Sequence, residues 1–515
     1  MPAQKPKTTR HTEVERKFDV VESAVSPSFD GIYAVARVEQ QPSQSLDAVY
    51  FDTVDHDLAR NKVTLRRRTG GSDAGWHLKL PAGPDARTEV RAPLGSDDGS
   101  DTVVPGELLD VVRAIVRDRP TAPVARISTT RNIHLLFAAD GSPLAEFCDD
   151  HVTAWATDKS GNGAEQEWRE WELELAEGPR AVDSDADLLN RLSNRLFDAG
   201  AVPAGHGSKL ARVLDAAAPA AETEGDEPPP PAPPRDPVHI AVAEQVAQLI
   251  EWDRAVRADT YDSVHQMRVT TRKLRSLLKE SEESFGLTDD SWILDELRTL
   301  AGILGVARDA EVLAEKYEKA LDALPGELVR GRVRERLVDG AKRRYEMGWR
   351  RSLTAMRSER YFRLLDALEA LAAAEPQPTQ SGEERKPVTI DAAYKRVRKA
   401  AKAAKAAADA GADDADEALH SIRKGAKRLR YTAAATGAGK VADAAKTIQS
   451  LLGDHQDAVV SRTHLGEQAQ VAHAAGEDTF TYGLLYQRED DLADSSRDQL
   501  TAALDKLDKS VADTR

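Results

Sequence analysis

The chain has 515 residues, 31% of them charged and 5% aromatic, with a formal net charge of −16 and one cysteine, Cys148. Its length allows two or three domains with full cores. The acidic balance excludes a generic binder of nucleic acid or anionic membrane. The lone cysteine excludes a disulfide framework and a multi-thiolate zinc site, and points to a reducing cytoplasm.

Met1–Arg10 is basic but no apolar run follows it, so no standard signal peptide is expected. No stretch approaches the roughly 20 apolar residues needed to span a bilayer.

Residues 11–215 read as strand-rich. Short alternating segments recur at His11–Val20, Val49–Asp52, Val63–Arg68, Trp76–Leu80, Thr88–Ala92, Ile133–Phe137 and Trp168–Leu175. Helical segments interrupt them near Pro105–Arg117 and Asp185–Asp198. In Glu13-Val-Glu15-Arg-Lys17-Phe18, strand alternation puts Glu13, Glu15 and Lys17 on one face and Val14 and Phe18 on the other. Glu170, Glu172 and Glu174 likewise share a face, with Trp171, Leu173 and Leu175 behind them. Arg66 pairs with Arg68, Arg87 with Glu89, and Glu146 with Asp150 if their segment is extended; Lys79 sits on the strand that begins at Trp76. Two architectures accommodate so many charged half-faces. One is an antiparallel sheet with a wet side and cross-strand ion pairs. The other is a barrel closed with its charged side inward. Such an interior has carboxylates for Mg²⁺ or Mn²⁺, which prefer oxygen donors, and Arg and Lys for phosphate oxygens.

This region resembles a CYTH domain, or triphosphate tunnel metalloenzyme. Glu13, Glu15 and Lys17 match its Glu-x-Glu-x-Lys signature. Tyr50–Thr53, Arg66 and Arg68, Lys79, Arg87-Thr-Glu89, Arg131, Glu146 and Asp150, Glu170–Glu174, and Ser208-Lys209 follow in the family's order. Thr129 stands where many members have lysine. The resemblance implies a metal-dependent enzyme that hydrolyses triphosphates or cyclises ATP. It assigns metal binding to Glu13, Glu15, Glu146, Asp150, Glu170 and Glu172, and substrate binding to Arg66, Arg68, Lys79, Arg87, Arg131 and Lys209. Lys17, Glu13 and Glu15 become the catalytic group. The general base stays open between a lysine of lowered pKa and a metal-bound water.

Residues 216–237, rich in Ala, Pro, Glu and Asp, read as an extended linker. From residue 238 to about 510 the pattern is helical, with a second proline-rich break at Glu375–Pro387. The two halves repeat. His265, Arg268, Arg272 and Arg275 form a basic stripe on one helix, and His420, Arg423, Lys427 and Arg430 form its counterpart. Met267, Leu274 and Leu278, and then Ile422 and Leu429, take the apolar faces. Leu304-Gly-Val-Ala-Arg-Asp309 is matched by Leu452-Gly-Asp-His-Gln-Asp457. No acidic residue lies within either stripe, and four cations in a line suit a linear polyanion.

This half is similar to a CHAD domain, the conserved-histidine α-helical domain. The resemblance implies two pseudo-symmetric four-helix bundles and polyphosphate binding by His265, Arg268, Arg272, Arg275, Arg308, His420, Arg423, Lys427 and Arg430; Gln456 stands where the first repeat has Arg308.

The expected architecture is therefore α+β followed by all-α: an antiparallel β-barrel tunnel with flanking helices over 11–215, a linker over 216–237, and a helical domain of two four-helix bundles over 238–510. The expected activity is hydrolysis of inorganic triphosphate or short polyphosphate. The expected partners are triphosphate and polyphosphate, without nucleic acid or membrane, in the cytoplasm at polyphosphate granules. A thiamine triphosphatase, nucleoside triphosphatase or adenylyl cyclase is one alternative; a non-catalytic granule scaffold is another.

Overall fold

The computed structural model describes residues 8–95, 103–157, 164–176, 182–217, 237–287, 291–374, 389–409, 415–435 and 437–514. Most of the 216–237 linker and the Glu375–Pro387 break lie outside these residues. The strands are β1 Thr9–Val20, β2 Arg37–Gln40, β3 Gln44–Asp52, β4 Thr64–Thr69, β5 Gly75–Pro81, β6 Ala86–Ala92, β7 Ala122–Phe137, β8 Pro143–Ala156, β9 Glu165–Leu175 and β10 Val202–Pro203. The helices are α1 Asp57–Arg60, α2 Gly106–Val111, α3 Arg113–Val116, α4 Val182–Asp198, α5 Lys209–Ala217, α6 Pro237–Arg257, α7 Ser263–Glu280, α8 Trp292–Asp322, α9 Gly340–Ala355, α10 Glu359–Ala373, α11 Ile390–Asp409, α12 Ala415–Ala435, α13 Gly439–Ala474 and α14 Phe480–Ala512.

The chain divides into two compact units: residues 1–263 with 356–374, and residues 264–355 with 375–515. This division does not follow the proline-rich linker.

In the first unit, β1, β6, β5, β4, β3, β7, β8 and β9 are hydrogen-bonded in that order, and β9 pairs back with β1. The sheet is thus a closed antiparallel eight-stranded barrel, with β2 added on β7 and β10 on β1. Closure decides what alternation leaves open. The charged faces point inward, and the apolar backs are buried under helices. Phe18, Phe147, Trp171 and Leu173 pack with Leu188, Leu189, Leu192 and Leu196 of α4. Leu65, Trp76, Leu78 and Val90 pack with Leu58, Leu108 and Ile115 of α1–α3. A third cluster lies on the inward face instead: Leu210 and Val213 of α5 pack against Tyr50, Ile127, Val152 and Ala154, and Tyr50, Ile127 and Leu210 also line the interior cavity.

Two later helices complete this unit. Ile250 of α6 packs on the α1–α3 cluster. Tyr361 of α10 donates a 2.9 Å bond to Asp253 of α6, which also holds Arg257. Arg117, at the end of α3, is 2% exposed; its guanidinium donates to the Ala114 and Ile115 carbonyls and to Asp366 and Glu369 of α10. Its φ of 59° and ψ of −125° fall in a region disfavoured for residues with a Cβ, so tertiary bonds hold a strained backbone.

The second unit is helical. α11–α14 share one core, in which Val397, Ile422, Leu429, Ile448, Leu452 and Leu507 are buried. From the first repeat, α7, α8 and α9 belong to this unit. A further cluster joins Tyr317 and Leu321 of α8 to Leu465 of α13 and Tyr482 of α14. No helix among the described residues is long and apolar enough to cross a membrane.

Candidate functional site

A cavity of about 1430 Å³ runs inside the barrel. Its walls carry Glu13, Glu15 and Lys17 from β1, Arg66 and Arg68 from β4, Lys79 from β5, Arg87, Glu89 and Arg91 from β6, Arg131 from β7, Glu146 from β8, Glu172 and Glu174 from β9, and Lys209 from α5. Strand register makes these residues neighbours. Lys17 pairs opposite Glu172 and Glu15 opposite Glu174. Arg131 pairs opposite Asp150, and Glu146 opposite Glu174.

One carboxylate group answers its own charge. Lys209 donates to Glu172 at 2.8 Å and forms ion pairs with Asp150 and Glu170 at 2.9 and 2.7 Å. Arg131 forks onto Asp150 at 2.8 and 2.6 Å and also reaches Glu172. Asp150 and Glu170 share the inward face of Arg131, Glu172 and Glu174 but gather around the Lys209 ammonium. Burial would raise the pKa values of Asp150 and Glu172, but the cations outweigh it and lower both.

A second carboxylate group faces the open cavity. One oxygen each from Glu13, Glu15 and Glu174 converges within 4.8 Å, and Glu146 lies opposite Glu174. Burial, then Glu13, pushes Glu174 up to about 7. Glu15 is held at about 2, because Lys17 and Lys79 overcome its burial. Lys17 donates to Glu15 at 2.9 Å and to Glu172 at 2.6 Å. Burial would lower its pKa, but these two carboxylates raise it. Lys79 donates to Glu13.

The opposite sign gathers at Arg66, Arg68 and Arg131. Arg66 donates to the Tyr50 hydroxyl at 3.2 Å. Arg68 is lowered to about 9, by burial first and then by Arg66 and Arg131. Arg68 also contacts Asp73. Arg87 sits further out, donating to the Gly207 carbonyl at 3.0 Å, with Glu15 3.9 Å away.

Several of these participants escape the sequence reading. Tyr50 appears there only as part of a strand. Glu174 shares its face with Glu170 and Glu172, outside the residues to which the family resemblance assigns metal binding. His77 lies 2.9 Å from Glu89 and 2.9 Å from the Asp73 carbonyl, and His11 lies 3.2 Å from both Glu13 and Glu89. Alternation could have found His11, because it shares a face with Glu13.

In the helical unit the stripes lie on α7 and α12, with Met267, Leu274, Leu278, Ile422 and Leu429 buried behind them. Arg275 donates to the Leu294 carbonyl of α8 at 3.3 Å, and Arg430 to Gln449 of α13 at 3.2 Å. Both stripes contribute to one positive surface. Lys427 has a lowered pKa, from partial desolvation and then from Arg272, Arg423 and Arg430. His265 is half-buried and His420 exposed. Arg308 is engaged by Glu311 at 2.8 Å.

A CYTH-domain family model matches residues 11–194, and a CHAD-domain family model matches residues 240–466. The CHAD match thus includes α6 and α10, which pack in the unit that holds the barrel. Two Mycobacterium tuberculosis proteins, the uncharacterized proteins MT2285 (strain CDC 1551 / Oshkosh) and Rv2226 (strain ATCC 25618 / H37Rv), are each 67% identical over 525 residues, covering 100% of both chains. Among solved structures, PptA from Streptomyces chartreusis is 19% identical, covers 52% of this chain and 97% of its own, and has a TM-score of 0.41. The CHAD domain from the plant Ricinus communis is 23% identical over 52% of this chain and 90% of its own, with a TM-score of 0.36. A putative adenylyl cyclase from Hippeastrum, described as having a dominant triphosphatase activity, is 17% identical over 40% of this chain and 96% of its own, with a TM-score of 0.25. The chain belongs to the family in which a CYTH tunnel domain is joined to a CHAD helical domain.

Proposed function

We propose that the barrel hydrolyses inorganic triphosphate or the end of a short polyphosphate with a divalent metal, and that the helical unit binds polyphosphate. The observation that carries the first part is the separation of charge within one cavity. Glu13, Glu15 and Glu174 converge on one side, while Arg66, Arg68 and Arg131 gather on another. A metal-bridged chain of phosphates is complementary to both.

The donor set fits a hard ion. Glu13, Glu15 and Glu174, with Glu146 beside them, offer oxygen alone, which suits Mg²⁺ or Mn²⁺. Asp150, Glu170 and Glu172 fit less well, because Lys209 is already ion-paired with all three. The metal, when bound, would neutralise phosphate oxygens and favour an attacking water. The chain's own cations do the rest. Arg66 and Arg68 orient phosphate oxygens, with Tyr50 fixing Arg66. Lys17, held as an ammonium between Glu15 and Glu172, supplies positive charge rather than accepting a proton. Phosphoryl transfer asks chiefly for such positioning and charge stabilisation.

Tyr50 and Phe137 are the aromatic residues lining the cavity among those described. So few favour an inorganic substrate over thiamine triphosphate or ATP. For the helical unit, the supporting feature is the crowding of Arg272, Arg423, Lys427 and Arg430 from two repeats.

The test is phosphate release from inorganic triphosphate with and without Mg²⁺ or Mn²⁺. Wild type should release phosphate only with metal, and Glu13→Gln/Glu15→Gln should abolish release. Inertness of wild type toward triphosphate under both metals refutes the proposal. Faster turnover of thiamine triphosphate or ATP refutes the substrate assignment.

A further inference from the structure

The repeated Leu-Gly segments remain without a role in either activity. Gly305 and Gly453 lie inside the long helices α8 and α13, where glycine is the least favourable residue after proline. Neither has a backbone conformation that requires glycine. The packing partners explain them. A Cβ on Gly305 would lie 3.4 Å from Arg268 Nε and Nη2 and 3.5 Å from its Cζ. On Gly453 it would lie 3.3 Å from Arg423 Nη2 and 3.7 Å from its Cζ. Both glycines therefore meet a guanidinium, and both guanidinia come from the same position of the basic stripe. Gly348 is different: its Cβ would strike the Ala307 backbone at 2.8 Å, the mark of two helices in close approach.

One turn beyond each glycine stands an aspartate. Asp309 Oδ1 lies 3.6 Å from Arg268 Nη1. Asp457, the equivalent residue, feels Arg423 as its strongest opposing charge against burial. The i, i+4 spacing puts each glycine and its aspartate on one helix face. Arg268 Nε is buried over Gly305 without a hydrogen-bond partner, so the guanidinium rests on the helix rather than bonding to it through that atom.

We propose that Gly305 and Gly453 are positioning residues. Each leaves a flat seat on its helix for the guanidinium of Arg268 or Arg423, and Asp309 or Asp457 steers one edge of that group. The remaining donors are then presented at matched positions in the two repeats, spaced for phosphate oxygens of one linear polyanion. This rests on the reading of the stripes as a polyphosphate site. A side chain that extends beyond Cβ at Gly305, or any side chain at Gly453, where the Cβ would already lie 3.3 Å from Arg423 Nη2, crowds the arginine out of its seat and costs affinity without touching a ligand.

The experiment is titration of the full chain with linear inorganic polyphosphate of defined length at fixed salt, for wild type, Arg268→Ala, Gly305→Leu, Gly305→Leu/Arg268→Ala and the corresponding Gly453 and Arg423 variants. Thermal melting checks that each is folded. Arg268→Ala and Gly305→Leu should each weaken binding by a similar factor, roughly threefold to tenfold. The double variant should be no weaker than Arg268→Ala alone. Gly453→Ala, whose Cβ would lie 3.3 Å from Arg423 Nη2, should fall between wild type and Gly453→Leu, so the seat stays testable if a leucine variant misfolds. Weakened binding by Arg268→Ala with wild-type binding by Gly305→Leu overturns the seat, as does an equal further loss in the double variant. Wild-type binding by both Arg268→Ala and Arg423→Ala overturns the polyphosphate reading of these arginines, and the seat with it.

Discussion

Lys209→Met removes the cation at the centre of Asp150, Glu170 and Glu172 while keeping the aliphatic stem. Asp150 is fully buried and Glu170 is 5% exposed, so water cannot replace the ammonium. Arg131 still reaches Asp150 and Glu172, and the Trp168 indole N–H still donates to Glu170 at 2.6 Å, but one remaining cation cannot answer three charges. Removing one partner of a buried ionic cluster costs about 3–5 kcal/mol, because uncompensated charge stays behind. For a unit of this size that corresponds to a fall of about 10 °C in melting temperature. The pH dependence fixes the cause. In wild type the pKa values of Asp150 and Glu172 are lowered, so their stabilisation is present above the unfolded carboxylate range and lost as pH falls through the folded values. Without Lys209 the same groups titrate higher, so the gap between variant and wild type should be widest near neutral pH and shrink toward pH 4. Urea denaturation across pH 4–8, with melting followed by circular dichroism, measures both. A loss below about 1 kcal/mol at pH 7, or a gap that does not change with pH, would refute the claim that Lys209 neutralises a buried cluster.

Arg117→Ala should destabilise the barrel unit by about 2–3 kcal/mol in urea unfolding, since the guanidinium satisfies two carbonyls and two carboxylates. Arg117→Gly should recover about 1 kcal/mol of that by relieving the positive φ; a glycine variant as damaged as alanine would show that the strain is not real. Lys427→Gln should raise the melting temperature of the helical unit by about 1–2 °C while weakening polyphosphate binding, because partial burial and then Arg272, Arg423 and Arg430 disfavour its charge. High salt should shrink the gain by screening the repulsive part, and a lowered melting temperature at low salt would count against both causes. Glu174→Gln should lower Mn²⁺ affinity by at least about tenfold if this residue completes the oxygen set with Glu13 and Glu15; electron paramagnetic resonance titration reads it directly, and unchanged affinity would exclude Glu174 as a ligand.

Much of the site was legible in the sequence because alternation is local. Glu13, Glu15 and Lys17 share a face whatever the fold does, and so do Arg66 and Arg68. The helical stripes were equally legible, since the 100° step fixes His265, Arg268, Arg272 and Arg275 relative to buried Met267 and Leu274. Alternation leaves β8 conditional, with Glu146 and Asp150 on one face only if the segment is extended, because Cys148-Asp149-Asp150-His151 places consecutive polar residues on both faces.

Which charges neutralise one another was not local. That Lys17 meets Glu172, and that Arg131 meets Asp150, follows from register between distant strands. That Lys209 fills Asp150, Glu170 and Glu172, leaving Glu13, Glu15 and Glu174 to the open cavity, depends on where α5 packs. The assignment of α6 and α10 to the barrel's unit depends on Ile250, Arg117 and Tyr361 finding partners far along the chain. Periodicity determines which side chains share a face; closure of β9 on β1 determined that the charged face became the interior, because only there could the apolar backs be buried beneath helices.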